Sequence, residues 1–504
     1  MLESLQLLLG GFATALTLQN VLYCLTGALV GTFIGILPGL GPIGGIALLI
    51  PITFGLNATS ALIMLAGIYY GAMYGGSTTS ILINVPGETA SVITCIDGYK
   101  MAQQGRAGPA LSIAALGSFI GGTIAIFGLV LIAPPLANAA LAFGPAELAS
   151  LMVFAFVVLS NVTGGSLLKS LMMVVVGLIL GTVGLDPVTG NERFTFGSVY
   201  LLGAIEFVAV AIGVFGLGEV LVNAAKPPAQ LEAKVTVPRF RELYPSLADL
   251  KRSIGAILRG TGVGFFTGLI PGPAPVIATY AAYTLEKRVS RHPEEFGHGA
   301  IEGVAAPETA NNAATQSAFI PLFVIGIPFG PVPAILLGAL LIHGVTPGPL
   351  LITERPELFW AVVASMYVGN AILLLLNLPL VPLFANLLRV PTRVLLPLVM
   401  MFCVTGMYSV NNSVLDIWMM LGMGILGYLL RGWAYEGAPL LLGLVLGPKL
   451  EVAFRQSVMI SHGDFGIFMQ RPVSAALLAA TAVFLFFPLL KRLWTRESKA
   501  AKPS

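Results

Sequence analysis

The stretch Gly31-Thr-Phe-Ile-Gly-Ile-Leu-Pro-Gly-Leu-Gly-Pro42 returns later in the chain as Gly264-Phe-Phe-Thr-Gly-Leu-Ile-Pro-Gly-Pro-Ala-Pro275. Six of the twelve positions match at a constant offset of 233: Gly31/Gly264, Phe33/Phe266, Gly35/Gly268, Pro38/Pro271, Gly39/Gly272 and Pro42/Pro275. Each copy interrupts a long apolar segment with Pro-Gly. Proline removes a helical N–H and clashes with the preceding turn, while glycine permits backbone that other residues avoid. In hydrocarbon, backbone groups freed in this way survive only when buried in protein or lining a wet cavity. Broken apolar segments at matching places in two halves of a chain point to the binding site of a secondary transporter.

Around this pair the 504 residues are 56% hydrophobic and 10% charged, with a mean hydropathy of +0.91. Soluble domains carry about 25% charged residues, so the chain reads as an integral membrane protein in contact with the lipid bilayer. Apolar runs of about 20 residues predict roughly ten to twelve helical crossings. Barrel strands would instead alternate over about ten residues. The first Lys or Arg is Lys100, and Met1-Leu-Glu3 offers an acid where a secretory leader needs basic residues, so the first helix is expected to be retained. Cys24, Cys95 and Cys403 have neither metal nor disulfide spacing and read as small buried hydrophobes. The basic pI reflects loops, and no nucleic-acid binding is expected.

Basic residues mark the cytoplasmic side. They cluster from Lys226 to Arg259, at Lys287, Arg288 and Arg291, and in the tail from Lys491 to Lys502. The chain is therefore divided into an N-terminal transmembrane repeat (1–225), a basic cytoplasmic linker (226–259), a C-terminal transmembrane repeat (260–490) and a basic cytoplasmic tail (491–504). The loop Phe54–Ser60 after the first break is uncharged, whereas the loop Glu286–His298 after the second is densely charged. Opposite topological signals at the same structural place predict inverted repeats. Residues 260–285 have basic clusters on both sides, so a single crossing would put one cluster outside. A re-entrant helical hairpin avoids this, entering from the cytoplasm and turning at Pro271-Gly272. Pro38-Gly39 is expected to form the matching tip from the periplasm. The predicted fold class is thus an all-α polytopic membrane protein of two inverted-topology repeats, each with a broken, re-entrant hairpin.

Polar runs lie inside apolar sequence. The first half has Tyr69-Tyr-Gly-Ala-Met-Tyr-Gly-Gly-Ser-Thr-Thr-Ser80 and then Asn84-Val-Pro-Gly-Glu88. The second has Glu302 to Ser317, with Pro307, Glu308, Asn311, Asn312 and Thr315, and then Gly326-Ile-Pro328. The correspondence is loose here, because the second half has the longer charged loop. This chemistry suits a small carboxylate bound together with a hard monovalent cation. Broken helices offer N–H groups to an anion, and unwound carbonyls with Ser, Thr and Asn oxygens can replace water around Na⁺. Residues 1–99 and 301–354 contain no Lys or Arg, so an arginine clamp is not expected. The candidate substrate residues are Gly39, Gly76, Ser77, Thr78, Thr79, Gly272, Asn311 and Asn312. The candidate Na⁺ ligands are Pro38, Gly41, Asn84, Pro271 and Thr315. Against this stands interhelical packing, a common use of Ser, Thr and Gly in membrane bundles. Glu88, Glu302 and Glu308 are functional candidates as intramembrane acids, or helix-end caps beside Pro/Gly breaks. His343 reads as an interfacial residue.

On these residues the chain resembles the large membrane subunit of the bacterial tripartite tricarboxylate transporters. The resemblance rests on Gly35–Pro42, Tyr70–Glu88 and Asp97-Gly-Tyr-Lys-Met-Ala with Gly105–Gly108. In the second half it rests on Ala300–Asn312 and on Leu337–Gly344 with Pro347-Gly348. It covers essentially the whole chain. One departure is Pro271-Gly-Pro-Ala-Pro275, where a more Gly/Ala-rich turn is expected. The resemblance implies ion-gradient-driven import of small carboxylates such as citrate, commonly with sodium, across the bacterial inner membrane. It also implies a small four-helix membrane subunit and a periplasmic solute-binding receptor as partners. No cofactor is implied beyond Na⁺ as coupling ion. Competing readings are a proton-coupled or channel-like carboxylate permease and, less favoured, an intramembrane enzyme. The enzyme reading lacks a nucleophile–base pair or a metal motif, and no phosphate loop supports an ATP-driven pump.

Overall fold

The computed structural model describes residues 2–37, 41–162, 166–225, 242–381, 383 and 392–500. The first half contains α1 (Leu2–Ala15), α2 (Leu18–Ile36), α3 (Gly41–Leu49), α4 (Ala58–Ile83), α5 (Thr94–Gln103) and α6 (Ala107–Ala140). It continues with α7 (Pro145–Val162), α8 (Leu167–Gly181) and α9 (Phe207–Ala224). The second contains α10 (Leu247–Gly268), α11 (Ala274–Val289), α12 (Glu302–Ser317), α13 (Pro331–Ile342) and α14 (Pro356–Asn377). It ends with α15 (Thr392–Asn411), α16 (Val414–Gly432), α17 (Gly437–Ile460) and α18 (Pro472–Ala500). Among the described residues, 6 helices are long and apolar enough to cross a membrane, and further apolar helices are shorter. The helices α4 and α12, which carry the polar runs, are in neither group.

Packing divides the chain into two compact units, each drawing on both halves of the sequence. The first comprises Met1–Asn138, Val208–Ile270 and Ala274–Leu429; the second comprises Ala139–Phe207, Pro271–Pro273 and Leu430–Ser504.

In the first unit the helices on either side of each break pack on one another. Helix α2 packs on α3, and a Cβ added at Gly45 would strike the Ile34 side chain. Helix α10 packs on α11, and Arg259 donates to Glu286 through Nε at 2.8 Å and Nη2 at 2.7 Å. That bidentate pair ties the arms together at the end remote from the turn. Arg259→Gln would strand the carboxylate of Glu286, which is 2% exposed. The expected cost lies at the low end of about 3–5 kcal/mol, because Arg259 is 40% exposed. Thermal melts in detergent check this, and R259M/E286L should recover most of the loss.

The same glycine spacing seats each hairpin on the next helix. A Cβ at Gly27, Gly31 or Gly35 of α2 would come within 2.4 Å of the carbonyl oxygens of Met64, Ile68 and Ala72 on α4. A Cβ at Gly260, Gly264 or Gly268 of α10 would come within 2.6 Å of those of Ala306, Ala310 and Ala314 on α12. Glycine is what permits backbone to lie against backbone here. The register then carries through: twelve residues beyond Ala72 and Ala314 stand Asn84 and Gly326, both left-handed at φ 57° and 77°, and both followed two residues later by proline. Helix α4 runs unbroken to its cap, whereas α12 ends at Ser317 and rewinds as a π-helix over Pro321–Ile325. Helix α14 packs on α2 and α4. In the other copy, Gly117 and Gly121 of α6 face Thr309 of α12.

The second unit packs α7 on α18, and α17 on α7 and α8. A Cβ at Gly177 would meet the Leu440 carbonyl and one at Gly443 the Val174 carbonyl, so α8 and α17 touch backbone to backbone. A two-stranded hairpin pairs Gly184–Leu185 with Glu192–Arg193. At its turn the N–H groups of Thr189 and Val188, with Arg455, hold the Asp186 carboxyl at about 2. Arg193 and Arg455 both pair with Glu451 as well.

Candidate functional site

Every residue of α12 is buried, although its sequence is Glu-Gly-Val-Ala-Ala-Pro-Glu-Thr-Ala-Asn-Asn-Ala-Ala-Thr-Gln-Ser. A helix this polar can be buried only against polar partners. Its Pro307 also withholds an N–H from the carbonyl of Gly303. The partners come from the first half of the chain. The two Glu308 carboxylate oxygens accept from the hydroxyls of Ser77 on α4 and Thr94 on α5. Glu88 accepts from the Ala90 N–H at 2.5 Å and from Asn311 Nδ2 at 3.1 Å. Asn312 Nδ2 donates to Ser118 Oγ of α6 at 2.7 Å, and Ser118 Oγ donates to the Glu308 carbonyl at 3.3 Å. Beside them Tyr74 donates to Asn370 Oδ1 of α14 at 2.7 Å, and Asn370 donates to Phe119 O and Thr123 Oγ1. Asn311 Oδ1, Asn312 Oδ1 and both amide atoms of Gln316 are buried without a protein partner. Since Asn311 and Asn312 each spend their NH₂ on a neighbour, their oxygens are left as acceptors.

Small residues bring the first-half segments of this site together. A Cβ at Gly76 would collide with the Glu88 side chain, and one at Gly87 with the Gly35 carbonyl and the Gly76 Cα. Thus Gly76, Ser77, Asn311 and Asn312 gather around Glu88 and Glu308. Thr78 and Thr79 are buried on the same turn of α4, and Thr79 donates to Gly76 O at 3.0 Å. Thr315 is buried and donates to Asn311 O at 2.9 Å. Asn84 has an exposed side chain and caps α4 through its backbone. Gly41 opens α3 at φ 57°, and Pro271 and Gly272 form the turn before α11, with Gly272 at φ 140°. Pro38 and Gly39 lie outside the described residues.

The three acids separate by partner. Glu302 makes a bidentate pair with Arg252 at 2.8 and 2.9 Å. Glu88 caps the short turn Thr89–Val92 in a capping box with Ser91. Glu308 has hydroxyl partners alone on its carboxylate. His343 Nε2 lies 2.9 Å from Thr53 Oγ1, which itself donates to Ile50 O, so the ring N–H is the donor. Cys24 and Cys403 are buried, Cys95 is half-buried, and all three are free.

Sequence reasoning had not placed Ser118, Thr94, Gln316 or Asn370 in this cluster. Asn370 had a signal, since an amide inside the apolar α14 needs a partner. Asp97 was also missed as an anchor. Its Oδ1 accepts from the N–H groups of Gly297 and Gly299 at 2.8 Å and Ala300 at 3.0 Å, and its Oδ2 from Tyr283 at 2.8 Å. It thereby ties α5 to the loop that leads into α12.

The structure is that of a helical membrane protein whose two halves both feed one buried polar cluster. The chain belongs to the tripartite tricarboxylate transporter TctA family, whose profile matches residues 21–442. It is 49% identical over 489 residues to an "uncharacterized 52.8 kDa protein in TAR-I ttuC' 3'region" of Agrobacterium vitis, covering 97% of each chain. An "uncharacterized protein in TAR-II ttuC' 3'region" of the same organism is 47% identical over 236 residues, which is 47% of this chain and 98% of that protein. No solved structure matches.

Proposed function

We propose that the chain is the solute-carrying subunit of a secondary transporter that imports a small di- or tricarboxylate across the bacterial inner membrane, coupled to Na⁺. The observation that carries the reading is the set of unpartnered buried amide atoms on Asn311, Asn312 and Gln316. They sit in a segment, 301–354, without a single Lys or Arg. Amide and hydroxyl oxygens are hard ligands suited to Na⁺, and the Gln316 NH₂ is a free donor for a carboxylate. The cation's own charge then offsets the anion's. A small membrane subunit and a periplasmic receptor that hands over the substrate complete the system. The matching glycine ladders and left-handed caps support two copies of one unit, which we read as inverted, with the hairpin turns inside the membrane. Lys251→Cys and Arg288→Cys, in a cysteine-free background, should then react with impermeant maleimide from the cytoplasmic side alone; periplasmic labelling of either defeats the hairpin.

Cation and carboxylate sharing one site must stabilise each other reciprocally. Calorimetry on the purified complex should find substrate bound more tightly in sodium than in choline, and sodium bound more tightly with substrate by the same factor. Equal substrate affinity in both buffers would remove the shared site. Ser77→Val and Asn312→Leu should each lower uptake by roughly tenfold or more with membrane insertion intact. Wild-type uptake in both would leave these residues to packing.

A further inference from the structure

Two buried carboxylates stand in this cluster without a positively charged partner among the described residues. Glu308 is 0% exposed and its oxygens meet only the hydroxyls of Ser77 and Thr94. The titratable groups that face it from the packed elements are Tyr74 of α4, Glu88 of the turn before α5, and Cys95 of α5. Those facing Glu88 are Glu308, Cys95 and Tyr69. None is basic. Two other buried glutamates of this unit, Glu286 near the end of α11 and Glu302 at the start of α12, behave differently, since Glu286 has Arg259 and Glu302 has Arg252. Hydroxyl and amide donors share a negative charge but do not cancel it, and an uncancelled charge in a membrane interior is not sustained. Among the described residues no Lys or Arg pairs with either acid, so the charge calls for a cation bound from solution.

A second observation marks where such a cation meets the protein. One turn beyond Glu308 on the same helix face stand Asn311 and Asn312, wholly buried, each with its NH₂ engaged and its Oδ1 unpartnered. Asn311 is the link between the acids, because it follows Glu308 on α12 and donates to Glu88. Anionic substrate brought to Asn311 and Asn312 would be repelled by two bare carboxylates.

We infer that Glu308, with Ser77 and Thr94 on its oxygens and Glu88 joined to it through Asn311, is the seat of the coupling cation, with one monovalent ion taken up per acid before the anionic substrate enters. The inference rests on the carboxylate-carrier reading and adds the residue at which the driving ion acts and the order of binding. No bond is made or broken apart from the reversible gain of a proton or of Na⁺ coordination. Either ion satisfies the same chemistry, and the gradients imposed in the test separate them.

The test uses the whole complex in proteoliposomes with labelled citrate, succinate and malate as probes. Wild type should accumulate at least one of them under an inward sodium gradient or an inward proton gradient, and the effective gradient names the ion. Glu308→Gln is neutral without any cation and keeps the hydrogen-bonding shape. It should lose accumulation by roughly tenfold or more, yet still exchange internal unlabelled for external labelled carboxylate, at a rate that responds to sodium or pH with one ion fewer than in wild type, because Glu88 keeps its charge. Glu308→Asp should keep the dependence on the cation. Accumulation by Glu308→Gln at the wild-type level overturns the assignment. So does loss of both accumulation and exchange in a variant that elutes and melts like wild type. If Glu308→Gln does not fold, Thr94→Val decides. It should raise the cation concentration for half-maximal uptake by roughly fivefold with little change in the rate at saturating cation, and an unchanged half-saturation overturns the proposal. Failure of wild type to accumulate any probe under either gradient removes the carrier reading and this inference with it, whereas a working wild type with an unaltered variant removes this inference alone.

Discussion

Asp97→Ala is expected to abolish recovery of the folded protein. The carboxylate is buried, and one of its oxygens receives three backbone N–H groups, from Gly297, Gly299 and Ala300. Alanine leaves those donors and the Tyr283 hydroxyl without acceptors. Each unsatisfied buried group costs about 1–3 kcal/mol, so the sum reaches a large share of the about 5–15 kcal/mol that holds an ordinary domain together. The loss falls on the entry to α12, the helix on which the polar cluster is built. Asp97→Asn retains one acceptor oxygen and should cost about 1–2 kcal/mol, the charge-assisted part of the bonds. Fluorescence-detected size exclusion after heating gives both values. A monodisperse Asp97→Ala protein with a wild-type melting midpoint would show that the loop is held by something else.

Gly264→Val should be nearly as damaging, and for a different reason. The new Cβ would lie 2.4 Å from the Ala310 carbonyl oxygen and 2.8 Å from Ala313 Cβ. Both obstacles sit on the backbone or at its edge, so α10 and α12 would have to part. Overpacking costs about 1–3 kcal/mol where side chains can give way, and more is expected where backbone must move. Gly262 supplies the control within the same helix, since a Cβ there meets nothing within 4 Å. Gly262→Val should therefore melt within a few degrees of wild type. Equal effects from the two valines would mean that helix propensity, and not close approach, governs this face.

Much of the fold was legible from Gly31–Pro42 and Gly264–Pro275, because proline and glycine act on the backbone locally and need no knowledge of partners. The helical class and the two breaks could be read in this way. The register of the polar runs could not. Asn84 and Gly326 share a conformation but not a side chain, and the longer loop before α12 shifts the second copy relative to the first. Gly27 and Gly260 obey the same offset as the motif, yet two glycines outside a motif carry no signal until the carbonyls opposite them are known. The pairing of Glu308 with Ser77 and Thr94 was illegible for a similar reason. It joins residues more than 200 apart in sequence, and nothing near Glu308 indicates which hydroxyls will reach it. Asn84 shows the reverse case, in which a polar residue beside a break serves the helix end through its backbone.

The measurement that tests the account most directly is carboxylate uptake by proteoliposomes holding the chain with the other subunits of its tripartite system. Labelled di- and tricarboxylates are offered under an inward sodium gradient, an inward proton gradient, or neither. The account predicts accumulation above the external concentration under the sodium gradient, and collapse of that accumulation when sodium is equalised across the membrane. Uptake that only equilibrates the substrate, at the same rate with every gradient abolished, would contradict it.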